Sequence, residues 1–234
     1  WYSEATSAWG EKEVVPGIDA ILERLPGWFE YPETALDAYG AEMGHEEHEY
    51  GSMLLNVLLT AKYGPATVRR VWESLSRQPD GTDLTSIQAL DVVLNEVGSS
   101  RPALMREFFV WNYLTGPNAD GRHYPEAAKY PEMFVSKENH THATYPAQNP
   151  SPLPYRPAHL GSNYIAFLPP SPAEGALKVE FDGQDDAQWS AQLIAVTAGA
   201  SPGYVPLTLA LDGAGQAGSR TVDWAGLSRV ILVA

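Results

Sequence analysis

The sequence contains no cysteine. That removes disulfide frameworks, thiolate metal sites and cysteine nucleophiles, and it suits a reducing cytosol and a bacterial exoprotein equally. Cations are scarce: 15 lysines and arginines stand against 29 aspartates and glutamates, giving a formal net charge of -14 and an isoelectric point near 4.7. The resulting field repels phosphate backbones and anionic lipid surfaces, which argues against a nucleic-acid partner. Long apolar runs are missing too. The longest, "MLLNVLLTA", is about half of the ~20 residues a helix needs to cross a bilayer, so no membrane span is expected. The chain also lacks G-x-S-x-G, a phosphate-binding loop, a basic patch and any internal repeat.

What is present is enough apolar matter to fold. The 234 residues are 44% hydrophobic and include 7 Trp and 12 Tyr, too apolar for a disordered chain. Ser3 to Val14 has a helical pattern, with Ala5, Ala8 and Trp9 on one stripe, and "PGIDAILERLPGWFEYP" reads as a short amphipathic helix bracketed by Pro-Gly pairs. A helix from Glu49 or Tyr50 carries Met53, Leu54, Val57, Leu58 and Ala61 at helical spacing. Leu55 and Leu59 widen its apolar surface nearly all round, which predicts a central buried helix. Gly64 ends it and Pro65 opens the next, with Val68, Val71, Trp72 and Leu75 inward, and the two read as an antiparallel pair. Asp83 is placed to cap a helix ended by Gly98, and Ser100 and Pro102 begin another that runs to Gly116.

After Gly116 the texture changes. "YPAQNPSPLPYRP" holds five prolines in a short span, which no helix or central strand tolerates. Beyond it "NYIAFL", "ALKVEF", "WSAQLIAVT", "VPLTLAL", "SRTVDW" and "RVILVA" are six short β-rich runs separated by Gly/Asp/Pro turns. The expected fold class is α+β, an N-terminal all-helical lobe followed by a small antiparallel β-sandwich. The division is 1–117 helical, 118–160 a Pro-rich connection and 161–234 the β-sandwich. The chain opens on "WYSEATSAWGE" and stops on an apolar run, and both ends read as cuts in a longer product.

Glu4 stands among small residues on the first helix, between Trp1 and Trp9. Small residues admit a neighbouring helix and the indoles dry the site, so this carboxylate is either paired or metal-bound; the plainer alternative is a solvated Glu in a helix's first turn. The opening resembles the segment that carries the third zinc ligand in zinc metallopeptidases of the gluzincin type. "YGSMLLNVLLTAKYGPATVRRVWESL", "FFVWNYLTG", "YPEAAKYPEM" and the closing strands are similar to secreted bacterial metallopeptidases typified by a myxobacterial family. The resemblance covers essentially the whole chain through short motifs. It implies Glu4 as the third zinc ligand, Tyr50 as the hydrogen-bond donor to the oxyanion, a peptide or protein substrate, and secretion. It does not supply the H-E-x-x-H helix, which is absent from this sequence. Zinc is therefore expected only if an upstream part of the same polypeptide brings two histidines and the base. The competing reading is a non-catalytic extracellular module that binds protein or glycan on a degenerate peptidase scaffold.

Three further clusters invite a metal. In "GHEEHEYG", His45 and His48 are at i, i+3 rather than i, i+4, which favours solvated loop residues. His140 and His142 in "NHTH" share one face if extended, against a surface-loop reading. Asp182, Asp185 and Asp186 in "FDGQDD" offer hard oxygens for Ca²⁺ but lack EF-hand spacing, which favours a hairpin turn.

Overall fold

The computed structural model describes residues 1–15, 17, 19–39, 47–76, 83–133, 140–148 and 156–234. The fold is α+β, with the helices mostly N-terminal. Helix α1 (Tyr2–Val14) buries Tyr2, Ala5 and Ala8. The next expected helix is two shorter pieces, a 3-10 turn (Ala20–Arg24) and α2 (Pro26–Glu30). Pro26 has no N–H to give to a helix interior, so it opens α2 at its first position instead.

The buried central helix is present, but it is entered through a separate turn. Helix α3 (His48–Gly51) stops at Ser52, whose hydroxyl donates to the Glu49 carbonyl at 2.6 Å, and α4 (Met53–Tyr63) then buries every side chain from Met53 to Leu59. Gly64 ends α4 at φ 86°, a conformation that suits glycine. Helix α5 (Ala66–Leu75) turns Val68 and Val71 inward as expected. Trp72 does not follow them: it is 40% exposed, its ring lies 5.5 Å from that of Tyr2, and its indole N–H donates to Thr6 Oγ1 at 3.1 Å. A polar N–H in need of an acceptor draws the ring to the edge of the core.

Helix α6 (Ser86–Glu96) is capped by Thr85 and not by Asp83. The Thr85 hydroxyl accepts from the Gln88 N–H and the Gln88 side chain accepts from the Thr85 N–H, a reciprocal pair that satisfies two donors where a lone Asp would satisfy one. Helix α7 (Arg101–Tyr113) follows, with Pro102 in its first turn.

The strands are β1 (Thr141–His142), β2 (Tyr164–Phe167), β3 (Ala176–Asp182), β4 (Gln192–Thr197), β5 (Tyr204–Thr208), β6 (Ala217–Asp223) and β7 (Leu227–Val233). They form a five-stranded sheet in the order β1-β2-β7-β4-β5 and a two-stranded sheet of β3 and β6. Every pair is antiparallel except the short β1–β2 edge. Along β7 the side chains alternate between two cores. Ile231 and Val233 face the helices, together with Tyr164, Ile194 and Val196; Val230 and Leu232 face the β3–β6 ribbon, together with Leu193, Leu177, Val222 and Trp224. The large sheet is thus a middle layer, covered by helices on one side and by a β-ribbon on the other. A strand buried on both faces has no polar face to alternate with, which explains why "VILVA" and "LIAV" are continuous apolar runs.

Polar ties reinforce this shared core. Tyr204 Oη and Arg229 Nη2, from the sheet, both donate to Asn118 Oδ1, at 3.1 and 3.0 Å. The stretch before β2 is stitched to the turn after α2: Ala158 N–H donates to Glu33 O at 2.8 Å, Leu36 N–H to His159 O at 3.0 Å, and Ser162 N–H to Pro32 O at 2.8 Å. Gly161 sits in this seam, where a Cβ would meet Glu33 O at 2.6 Å.

Candidate functional site

Glu4 lies in the first turn of α1, partly exposed, on the side of the helix that meets α3. Helix α1 packs against α4, and Ala5 and Ala8 are buried on α1. Thr6, two residues on from Glu4, accepts from Trp72 Nε1 and also from Nδ2 of the fully buried Asn56, at 3.4 Å. These bonds fix the rotation of α1 about its axis, and with it the direction of Glu4.

Tyr50, on α3, stands close enough to Glu4 for the carboxylate to act on its phenol. The carboxylate's charge is the largest influence on the phenol and raises its pKa; partial desolvation raises it further, while the Arg24 guanidinium opposes both. Arg24 Cζ stands 4.3 Å from the centre of the Tyr50 ring. A carboxylate, a phenol and a guanidinium from three separate elements therefore form one partly exposed patch. The phenol stays protonated at neutral pH, so it remains a hydrogen-bond donor.

Behind Tyr50 the support is tight. A Cβ on Gly51 would stand 2.5 Å from Trp28 Cβ, so glycine at this position is what allows α3 to seat against α2. On the same turn His48 is buried, 2% exposed, and its ring stacks on Trp28 at 4.6 Å. That corrects the expectation of a solvated loop histidine: the indole face offers a flat apolar surface that the imidazole covers. His45 lies outside the described residues. His140 is also buried rather than on a surface loop, since its carbonyl accepts from Ala166 N–H at 2.7 Å and draws the segment onto the sheet edge. His142 follows in β1, its ring stacked on Phe167 at 5.6 Å.

Asp182, Asp185 and Asp186 do not flank a hairpin turn. β3 pairs with β6, so the segment is a crossover from the ribbon to β4 in the large sheet. Gly183 N–H donates to Gln216 O at 2.8 Å there, and the Trp189 indole fills the space where a Gly183 side chain would be.

Among the described residues, no three of His, Asp and Glu converge on one point as a metal centre requires. Glu4 is one carboxylate with a phenol beside it, and the described residues do not complete a zinc site around it. No family model, curated protein or solved structure matches this chain. The class defined by the fold is an α+β protein in which a mixed sheet is layered between helices and a β-ribbon. Sequence reading selected both Glu4 and Tyr50, but it missed Arg24, whose position over the ring has no spacing signal because it comes from a 3-10 turn remote in sequence.

Proposed function

We propose that this chain supplies part of a secreted zinc peptidase centre, with Glu4 as a zinc ligand and Tyr50 as the donor to the oxyanion formed in peptide-bond hydrolysis. The single observation that supports this is that α1 packs on α3 and brings the Glu4 carboxylate near enough to Tyr50 to raise its phenol's pKa, which a solvated first-turn Glu does not require. Two histidines and a general base must then come from a segment of the same polypeptide outside this sequence. The residues of this chain would bind and orient: Tyr50 carries its proton at neutral pH as a phenol does, and the Arg24 guanidinium lies over its ring.

The test is elemental analysis of the natural polypeptide for zinc, alongside hydrolysis of a fluorogenic peptide. One zinc per chain is expected, with loss of the metal in Glu4→Gln. In Tyr50→Phe the zinc stays and kcat falls about 10²-fold, the usual effect of removing one oxyanion donor. A polypeptide without zinc, or a Glu4→Gln variant that keeps it, overturns the reading and leaves a binding module on this scaffold.

A further inference from the structure

A cleft of about 890 Å³ opens between the first turns of α7, the stretch 156–163 and the crossover between β3 and β4. It shares no lining residue with the Glu4–Tyr50 patch. Its size is that of a small-molecule site, roughly 300–1,000 Å³. The charged side chains of its described lining are mostly of the sign opposite to the molecule's. In a chain of net charge -14, Arg101, Arg106 and Arg156 all line it, and Asp182 is the one carboxylate side chain among the described lining residues.

The three arginines are not equivalent. Arg101 is held by Asp91, Nε to Oδ1 at 3.3 Å. Arg106 is half-buried, and its guanidinium reaches the neutral hydroxyl of Ser190 at 3.4 Å; among the described residues it has no carboxylate partner. The same residue is fixed from behind, since Gln192 Nε2 donates to the Arg106 carbonyl and ties α7 to β4. A guanidinium on an anchored helix turn, without a counter-charge among the described residues, is a receptor for a planar anion, which its fork of donors matches bidentately.

Beside polar side chains such as Asn163, Gln188 and Ser190, the lining has an apolar and aromatic part. Met105, Phe109, Ile165 and Leu232 are buried around it, and Phe181 and Trp189 meet edge to face at 5.6 Å. The Trp189 N–H is already bonded to Gln184 O at 3.2 Å, so the indole offers only its apolar surface to a ligand. Asp182 and the overall negative charge disfavour a dianion such as a phosphate monoester.

We infer that this cleft binds an amphiphilic monocarboxylate, with the carboxylate on Arg106 and an alkyl or aryl body on the apolar lining. The probe pair is phenylbutyrate and phenylbutanol, which share a body and differ in the anion. Calorimetric titration of the intact chain is expected to show the acid binding about tenfold or more tightly than the alcohol. That difference disappears in Arg106→Gln and narrows as salt is raised. The Asp182→Asn variant alters an exposed side chain and removes the opposing charge, so it tightens the acid and leaves the alcohol unchanged. Equal binding of the two probes, no binding of the acid up to about 1 mM, or an Asp182→Asn variant without effect on the acid overturns the inference.

Discussion

The hydroxyl of Tyr164, on the large sheet, donates to the main-chain carbonyl of Phe109 on α7 at 2.8 Å, inside a core to which both lobes contribute. The Tyr164 ring also stacks on Tyr113, one turn further along the same helix, with centroids 6.2 Å apart. Helices and sheet are therefore joined by packing and by a buried hydrogen bond. The first consequence is cooperative unfolding. Helical and aromatic circular dichroism should lose signal in one coincident transition, and Ile231→Ala, which opens a cavity between the layers, should destabilise both lobes together by about 2–5 kcal/mol. Two separated transitions would show that the layers fold independently.

Gly51→Ala distinguishes helix propensity from packing. Alanine is the better helix former by about 1 kcal/mol, so propensity alone predicts a gain. The new Cβ, however, would collide with the Trp28 side chain, and overpacking of that kind costs about 1–3 kcal/mol. A lowered melting temperature, together with a changed tryptophan emission, is the expected outcome.

The patch at Glu4 has an electrostatic signature. Because the Glu4 carboxylate is the main cause of the raised Tyr50 pKa, Glu4→Gln should lower it. Arg24→Ala removes the opposing positive charge and should raise it. Phenolate absorbance titrations, each compared with the same background carrying Tyr50→Phe, isolate the residue. Equal Tyr50 titration in wild type and Glu4→Gln would mean that the two side chains do not lie near each other in solution.

Several tyrosines make the protein sensitive to alkali. Burial pushes the Tyr113 and Tyr130 hydroxyls up to about 12 from an unfolded value of 10.0, and it also raises Tyr2, Tyr124 and Tyr164. Between those values the folded chain keeps protons that the unfolded chain releases. Their contribution is thus complete below pH 10 and is lost as pH rises towards 12 and beyond. Chemical denaturation midpoints should be flat on approach to that window and then fall, with Tyr113→Phe shallower than wild type.

Much of the architecture was legible in periodicity. All six β-rich runs became strands, and the apolar girdle of "MLLNVLL" became the buried α4, because hydrophobic spacing reflects burial directly. The cap of α6 was misread as Asp83, although Thr85 and Gln88 have the capping-box spacing that the structure uses. Glu4 and Tyr50 could be singled out as residues, but nothing in their spacing of 46 positions said that they would lie near each other.

The sequence by itself determined most of the helix and strand segments, the chain's acidity, and the absence of thiol chemistry. Tertiary structure alone decided which strands pair, and so turned "FDGQDD" from an expected hairpin into a crossover. It buried His48 on Trp28, placed Arg24 over Tyr50, and gathered three arginines around one cleft in an acidic molecule. The physical reason is range. Helix and strand preferences act over a few neighbouring residues and leave a periodic trace, whereas pairing, stacking and charge clustering join residues far apart in the chain and leave none.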